Sequence, residues 1–352
     1  MKRVARISFS LLLTVVFLAL FASGFDLAAA GRSLRAASPA LIALSILVNL
    51  SAYLIRAWRW RYLLGPVRKS LGMYNLTSTT FIGFMVSFVV PFRLGEVVRP
   101  VLLARRERLS AGSALATIAV ERLMDLLVVI GLFLLFVLSS SGSELLASTG
   151  EGASGAASYL RRGLSAAAWS ALMGLPLIGL LVIAPGRVVA LLHRLNPGHP
   201  TGPVGRAIGL LERFAAGLRV LRGGRDLLAS LLLSLAMWLV IDLSILIGVR
   251  AVGLDLGFAD MFLLMVALVA GIAVPTPGGV GPFEFLVQVS LTDFWGGAGG
   301  GAAPTAITLH AITLVPTIAV GLLFMWRDGL RWREVRGLAR SGGAVSATGG
   351  RT

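Results

Sequence analysis

The sequence contains no cysteine, which excludes disulfide staples, thiolate metal sites and a cysteine nucleophile. Charge is scarce: Asp, Glu, Lys and Arg make up 14% of the 352 residues, against roughly a quarter in an ordinary soluble domain. Lysine is reduced to Lys2 and Lys69, and the three histidines, His193, His199 and His310, are too scattered to argue for a zinc site. Enzyme signatures are missing as well. There is no His-Glu-x-x-His pair, no Gly-x-Ser-x-Gly elbow and no pair of aspartates around one residue. No metal or cofactor is expected.

What the chain has in excess is apolar side chains, 57% of residues, with a mean hydropathy of +0.88. That density exceeds what one soluble core can hide, so a soluble enzyme is excluded and an all-α integral membrane protein is expected. The net charge of +16 would suggest nucleic acid in a soluble protein. Here the basic residues lie between apolar runs, where they set topology and attract anionic lipid.

A bilayer core of ~30 Å needs about 20 apolar residues in a helix. Six stretches qualify as full spans: Ile7–Phe25, Pro39–Trp58, Ala114–Leu138, Leu164–Ala184, Leu227–Val249 and Ala306–Trp326. The basic start and the arginines after Trp58 and Trp326 place both termini in the cytoplasm. The first stretch, with Ala28-Ala29-Ala30 behind it, also has the outline of a cleavable signal peptide, although it is long for one. Tyr53, Trp58, Trp60, Tyr62, Trp295, Trp326 and Trp332 read as an aromatic belt at the interfaces.

Two apolar stretches do not fit the count. Leu76–Pro91 is flanked on both sides by arginine, so it is expected to enter and leave on the cytoplasmic side. Phe258–Trp295 is broken by Pro275-Thr276-Pro277-Gly278-Gly279-Val280-Gly281-Pro282, which no continuous helix survives, and parity makes it begin and end outside. Two broken segments of opposite orientation are a sign of inverted repeats meeting near the bilayer midplane. Two kinked spans remain the plainer alternative. Residues 1–340 read as one transmembrane domain and 341–352 as a disordered tail. Ser139–Arg162 and Gly296–Pro304 read as external loops, and Arg187–Asp226 as a basic cytoplasmic segment with a surface helix over Val204–Val220.

Ionised side chains inside a membrane cost ~2.5–3.5 kcal/mol each on insertion scales, so they are candidates for function. Pro91-Phe92-Arg93-Leu94-Gly95-Glu96-Val97-Val98-Arg99 brackets one carboxylate with two arginines, whose planar forks suit phosphate or carboxylate. Glu121-Arg122-Leu123-Met124-Asp125 puts Glu121 and Asp125 on one helix face, with Arg93 or Arg99 as the expected partners. Both clusters read equally as structural: a flank that sets topology, and a tether between helices. Glycines of the Pro-rich break allow close backbone approach to an anion, with Glu284 behind them. Asp242 stands alone in its span and could pair with an arginine or titrate. His310 reads as a packing residue rather than a proton relay.

The runs Phe81–Arg99, Glu121–Asp125 and Pro275–Glu284, together with Arg56-Ala57-Trp58-Arg59-Trp60, resemble the lysylphosphatidylglycerol synthase transmembrane-region family, also called flippase-like domain proteins. The resemblance runs from the first span to Trp326. It implies a polytopic inner-membrane protein of a prokaryote, related to the domain that moves lysylphosphatidylglycerol between leaflets. By motif matching, Arg93, Glu96, Arg99, Glu121, Arg122, Asp125, Pro277, Gly278, Gly279 and Glu284 would line a lipid cavity. Two departures matter: Val90-Pro91-Phe92-Arg93 follows Ser87 where the family has an Asn and Leu-Pro-x-Arg, and the aminoacyl-transfer domain of the full synthases is not seen. Translocation of an anionic lipid is the expectation, passive or ion-coupled since no nucleotide site occurs. The alternatives are a membrane enzyme or accessory subunit acting on polyprenyl-phosphate or glycolipid substrates, and a partner that docks a glycosyltransferase. Arg187–Arg225 suits such docking.

Overall fold

Helix starts follow local capping rules. Ser38 precedes Pro39 and accepts the Leu41 N–H at 3.4 Å, while Ser110 accepts the Ser113 N–H at 3.4 Å. In the computed structural model the residues described are 2–23, 27–68, 70–139, 224–296 and 301–338, with a few single residues between 142 and 194. They form α1 (Lys2–Ser23), α2 (Leu27–Ala36), α3 (Pro39–Leu64), α4 (Met73–Val89), α5 (Gly95–Glu107) and α6 (Ala111–Leu138). After these come α7 (Gly224–Ala251), α8 (Asp260–Ala273), α9 (Pro282–Trp295) and α10 (Ala302–Arg327), with short 3-10 turns at Pro91–Arg93 and Pro277–Gly279. Among the described residues there is no strand.

The all-α membrane expectation holds. Helices α3, α7 and α10 are long and apolar enough to cross a bilayer, reaching about 40 Å at 1.5 Å per residue. Helix α6 is as long, at 28 residues, but carries Glu121, Arg122 and Asp125 in its middle. The apolar part of α1, Ser8–Ser23, is shorter. The expected span Leu164–Ala184, the surface helix over Val204–Val220, most of the Ser139–Arg162 loop and the tail 341–352 lie outside the described residues. Gly296 caps α9, and α10 begins at Ala302, earlier than the linker and span boundaries expected.

Both broken segments are hairpins rather than kinked spans. In the first, α4 and α5 run antiparallel: Arg106 Nη1 donates to Ser78 Oγ at 2.6 Å and Asn75 Nδ2 to Glu107 Oε1 at 2.7 Å, so the chain returns to the level where it entered. The helices approach this closely because Gly83 and Gly95 face each other; a Cβ on Gly95 would collide with the Gly83 carbonyl. In the second hairpin, α8 packs on α9 with Gly271 against the backbone of Phe283. Helix α10 fixes their relative direction. Its last turn holds the base of the first hairpin, through Asp328 accepting from Tyr74 and Arg106 at 2.6 Å each. Its start adjoins Leu254, ahead of α8. The hairpins thus enter from opposite ends and their turns touch in the middle, as an inverted repeat would place them. Gly321 of α10 packs on the first hairpin at Phe81 and Met85, His310 on the second, and Pro316 falls between them.

The remaining long helices wrap this pair. Helices α3 and α7 run antiparallel, pinned by Ser45 Oγ donating to the Ser244 carbonyl at 2.7 Å and by Ser38 N–H donating to the Ala251 carbonyl at 2.9 Å. Helix α1 lies along α9, with Ser10 Oγ donating to the Pro275 carbonyl at 2.6 Å and Phe17 edge-on to Phe285.

Candidate functional site

Helix α3 continues to Leu64, beyond the expected end at Trp58, and this extension brings its arginines inside. Asn49, Ala52, Tyr53, Arg56 and Trp60 recur every three or four residues, so one face of α3 points inward. Arg56 and Arg59, expected as a cytoplasmic flank, are buried, and so are Tyr53 and Trp60, expected at an interface. Trp58 and Trp326 are exposed, in keeping with the aromatic-belt reading.

Glu121 on α6 is the hub. Fully buried, it accepts from Arg99 Nη1 at 2.9 and 3.1 Å and from Arg56 Nη1 at 3.3 Å. Arg59 Nη2 and Arg122 Nη2 each lie 3.2 Å from it. One turn on, Asp125 accepts from Arg59 Nη1, from Arg56 at 3.5 Å and from Trp238 Nε1 at 3.3 Å. Arg99 is stacked on the Trp60 ring, 3.9 Å from its centroid, and Arg56 on Phe84 at 4.8 Å. Of the partners expected for Glu121, Arg99 is the one the fold supplies. Arg93 instead pairs with Glu96 at 3.6 Å, and Arg122 reaches the same Glu96 at 4.0 Å.

The network is not electrically balanced. Five arginines (56, 59, 93, 99 and 122) face three carboxylates (Glu96, Glu121 and Asp125), leaving two positive charges in excess. Buried donors are also left over: Nε of Arg59, Nε and Nη2 of Arg99 and Nε of Arg122 have no hydrogen-bond partner among the described residues. Surplus positive charge gathered in one place is what an anion would neutralise.

Beside the network lies a cavity of about 330 Å³, at the low end of small-molecule sites. Both hairpin turns open into it. Phe92, Arg93 and Glu96 come from the first, and Thr276, Gly278 and Gly279 from the second. Arg56, Arg122, Asp125 and Trp238 complete its polar side, while Leu126, Ile241, Met265, Leu268 and Ile312 make the rest apolar. Asn49 Oδ1 and Thr276 Oγ1, both in the lining, have no partner among the described residues. The first turn is held in an unusual backbone conformation, with φ of +66° at Phe92 and +50° at Arg93. Left-handed backbone at non-glycine residues costs ~1–2 kcal/mol each, and here it aims two side chains at the cavity. Gly278 and Gly279, with φ of +64° and +79°, adopt the same region without that cost.

Of the residues expected from the sequence, Arg93, Glu96, Arg122, Asp125, Gly278 and Gly279 line the cavity, and Arg99 and Glu121 stand directly behind it. Pro277 and Glu284 do not line it; they shape the second turn. Asp242 is set apart. It is buried on α7, its carboxylate has no hydrogen-bond partner among the described residues, and it does not line the cavity. Asn49, Arg56, Thr276 and Trp238 also line the cavity and Arg59 joins the ion network, positions not expected there from the sequence. The helical spacing of Asn49, Tyr53, Arg56 and Trp60 was the signal for the first of these.

Two opposed hairpins around an arginine-rich, partly apolar cavity define a polytopic membrane protein with a charged site buried among its helices. The chain belongs to the lysylphosphatidylglycerol synthase TM region family, whose sequence profile matches residues 7–321. It is also 28% identical over 336 residues to "Glycosyltransferase AglD" of Haloferax volcanii, an alignment covering 89% of this chain and 53% of that protein. The chain thus spans about half the length of that curated relative.

Proposed function

We propose that this protein binds the phosphate-bearing headgroup of an anionic lipid in the central cavity and carries it between the leaflets of the cell's inner membrane, with both termini cytoplasmic. The observation that carries this reading is the surplus of two positive charges beside a cavity that both hairpin turns enter. A phosphodiester in hydrocarbon would lose its hydration. Arg93 and Arg122, half-buried and in the lining, replace that water with bidentate donors, while Arg56, Arg59 and Arg99 supply the field behind them. The carboxylates hold these arginines in place when the headgroup has left. The apolar part of the lining suits the first carbons of the acyl or glycerol moiety. Family membership supports the reading at the level of the fold.

The test is reconstitution in vesicles with a fluorescent phosphatidylglycerol and a surface quencher. Faster loss of the protected fraction is expected with the protein than without it, and a rate near the protein-free one with Arg93→Ala, Arg122→Ala. No acceleration for any anionic lipid tried would overturn the proposal.

The name of the Haloferax relative favours a second reading, in which the chain acts on, or helps another protein act on, a lipid-linked substrate. Against catalysis by this chain, Glu121 and Asp125 have their lone pairs engaged by arginines and tryptophan, which leaves neither free as a general base. A new lipid product by mass spectrometry from purified protein, lost with Glu121→Gln, would favour the enzymatic reading.

A further inference from the structure

The second turn is fastened to α10 by a contact that fixes its own proton inventory. His310 Nε2 lies 3.0 Å from the carbonyl oxygen of Gly278. A carbonyl only accepts, so Nε2 carries a hydrogen. On the other side of the ring, Nδ1 lies 2.5 Å from Glu284 Oε1. With Nε2 already protonated, that contact needs one further proton, whichever atom bears it; the pair is then formally neutral. Without it, the Nδ1 lone pair would face a carboxylate oxygen and the pair would carry one negative charge. The other oxygen, Oε2, accepts the Gly281 N–H at 2.8 Å, and the imidazole stacks on Phe283 with ring centroids 4.3 Å apart. Both partners are therefore held in register, and the proton decides whether they attract or repel.

We propose that Glu284 and His310 form a proton-binding site that latches the second turn, and that a proton is taken up there together with the anionic headgroup; the coupling to headgroup rests on the function proposed above, whereas the latch does not. Uptake converts carboxylate plus neutral imidazole, net charge −1, into the hydrogen-bonded neutral pair. The turn it fastens, Gly278 and Gly279, lines the cavity, so the pair lies within the field of the headgroup. An anion in the cavity favours the neutral pair over the negative one, and by reciprocity the protonated pair favours the anion. Against the second turn and the start of α9, α1 brings the Ser10 hydroxyl and the Thr14 carbonyl, α4 the Phe88 carbonyl, and α8 Gly271 and Ile272. The charged groups that share the cavity lining with Gly278 and Gly279 are Arg93 and Glu96 of the first hairpin, Arg56 of α3, and Arg122 and Asp125 of α6.

Glu284→Gln is the informative variant. Its carbonyl can still accept from Gly281, and its amide can donate to Nδ1, so it imitates the protonated pair at every pH. Binding of short-chain phosphatidylglycerol to the purified full-length protein is measured across roughly pH 5 to 8, where histidine ordinarily titrates. Wild-type affinity is expected to fall with rising pH by a factor in the range of about 5 to 150 typical of coupled sites. Glu284→Gln is expected to hold the acid-side affinity throughout. A flat wild-type profile, or an unchanged slope in the variant, would overturn the coupling while leaving the proposed function standing. If the wild type binds no anionic lipid at any pH, the proposed function fails, and the latch is judged by hydrogen exchange of residues 275–284, corrected for the intrinsic rate. Protection lost at alkaline pH in the wild type and kept in Glu284→Gln supports it; identical profiles refute it. Should Glu284→Gln fail to give a monodisperse protein, His310→Gln removes the imidazole from the pair and is expected to remove the same pH-dependent steps.

Discussion

At the residue scale, the arginines of the site divide by burial into two kinds. Arg99 and Glu121 are nearly or fully inaccessible and bond each other through both carboxylate oxygens. Truncating Arg99 empties the buried space over the Trp60 ring and removes both of its bonds to Glu121, and a large-to-small change at a buried site costs about 2–5 kcal/mol. Arg99→Ala is therefore expected to lower the melting temperature in detergent sharply or to abolish the folded protein. Arg93 is half-buried with a single loose ion pair, and such exposed pairs contribute under about 1 kcal/mol. Arg93→Ala should melt close to the wild type yet bind anionic lipid more weakly. Equal melting losses in the two variants would contradict this division. The sequence alone did not separate them, because Arg93 and Arg99 occur in one short motif. What distinguishes them is that Arg99 passes over Gly83 onto Trp60, a contact made by tertiary packing.

At the element scale, the hairpins were largely legible. Arginine on both flanks of Leu76–Pro91 and the Pro-Gly run inside Phe258–Trp295 are local signals, and the prolines and glycines stop the helices where those signals stand. The inward face of α3 was not read, because arginine after an apolar run has two readings. It marks a cytoplasmic boundary, or it enters the protein if carboxylates await it. The choice depends on Glu121 and Asp125, more than 60 residues away in the chain. Asp242 differs for the opposite reason: a lone carboxylate in a span invites a functional reading, but it lies off the face of α7 that brings Trp238, Ile241 and Ser244 to the cavity lining. The second turn gives this scale its prediction. Gly278 has φ of +64°, and a Cβ there would come within 2.8 Å of Leu314 and 3.2 Å of the Phe88 carbonyl. Gly278→Ala should cost ~1–2 kcal/mol from the backbone alone and should part the two turns. A protein that remains folded but moves lipid several-fold more slowly is expected in the vesicle assay, and an undiminished rate would show that contact between the turns is dispensable.

At the scale of the whole molecule, the opposed hairpins predict a sidedness that the absence of native cysteine makes simple to measure. Arg105→Cys, exposed near the base of the first hairpin, and Asp255→Cys, exposed ahead of the second, should react with an impermeant maleimide from opposite faces of the membrane, residue 105 from the cytoplasm. Labelling from one face would contradict the inverted arrangement. Helix α10 serves both halves: one stretch grips the first hairpin through Gly321 and the other the second through His310. Pro316, between those attachment points, has no N–H to donate to the preceding turn. The shared strut therefore lacks one backbone hydrogen bond at its middle, where a helix resists bending least. Pro316→Ala would stiffen it, giving a protein that melts higher and shuttles lipid more slowly.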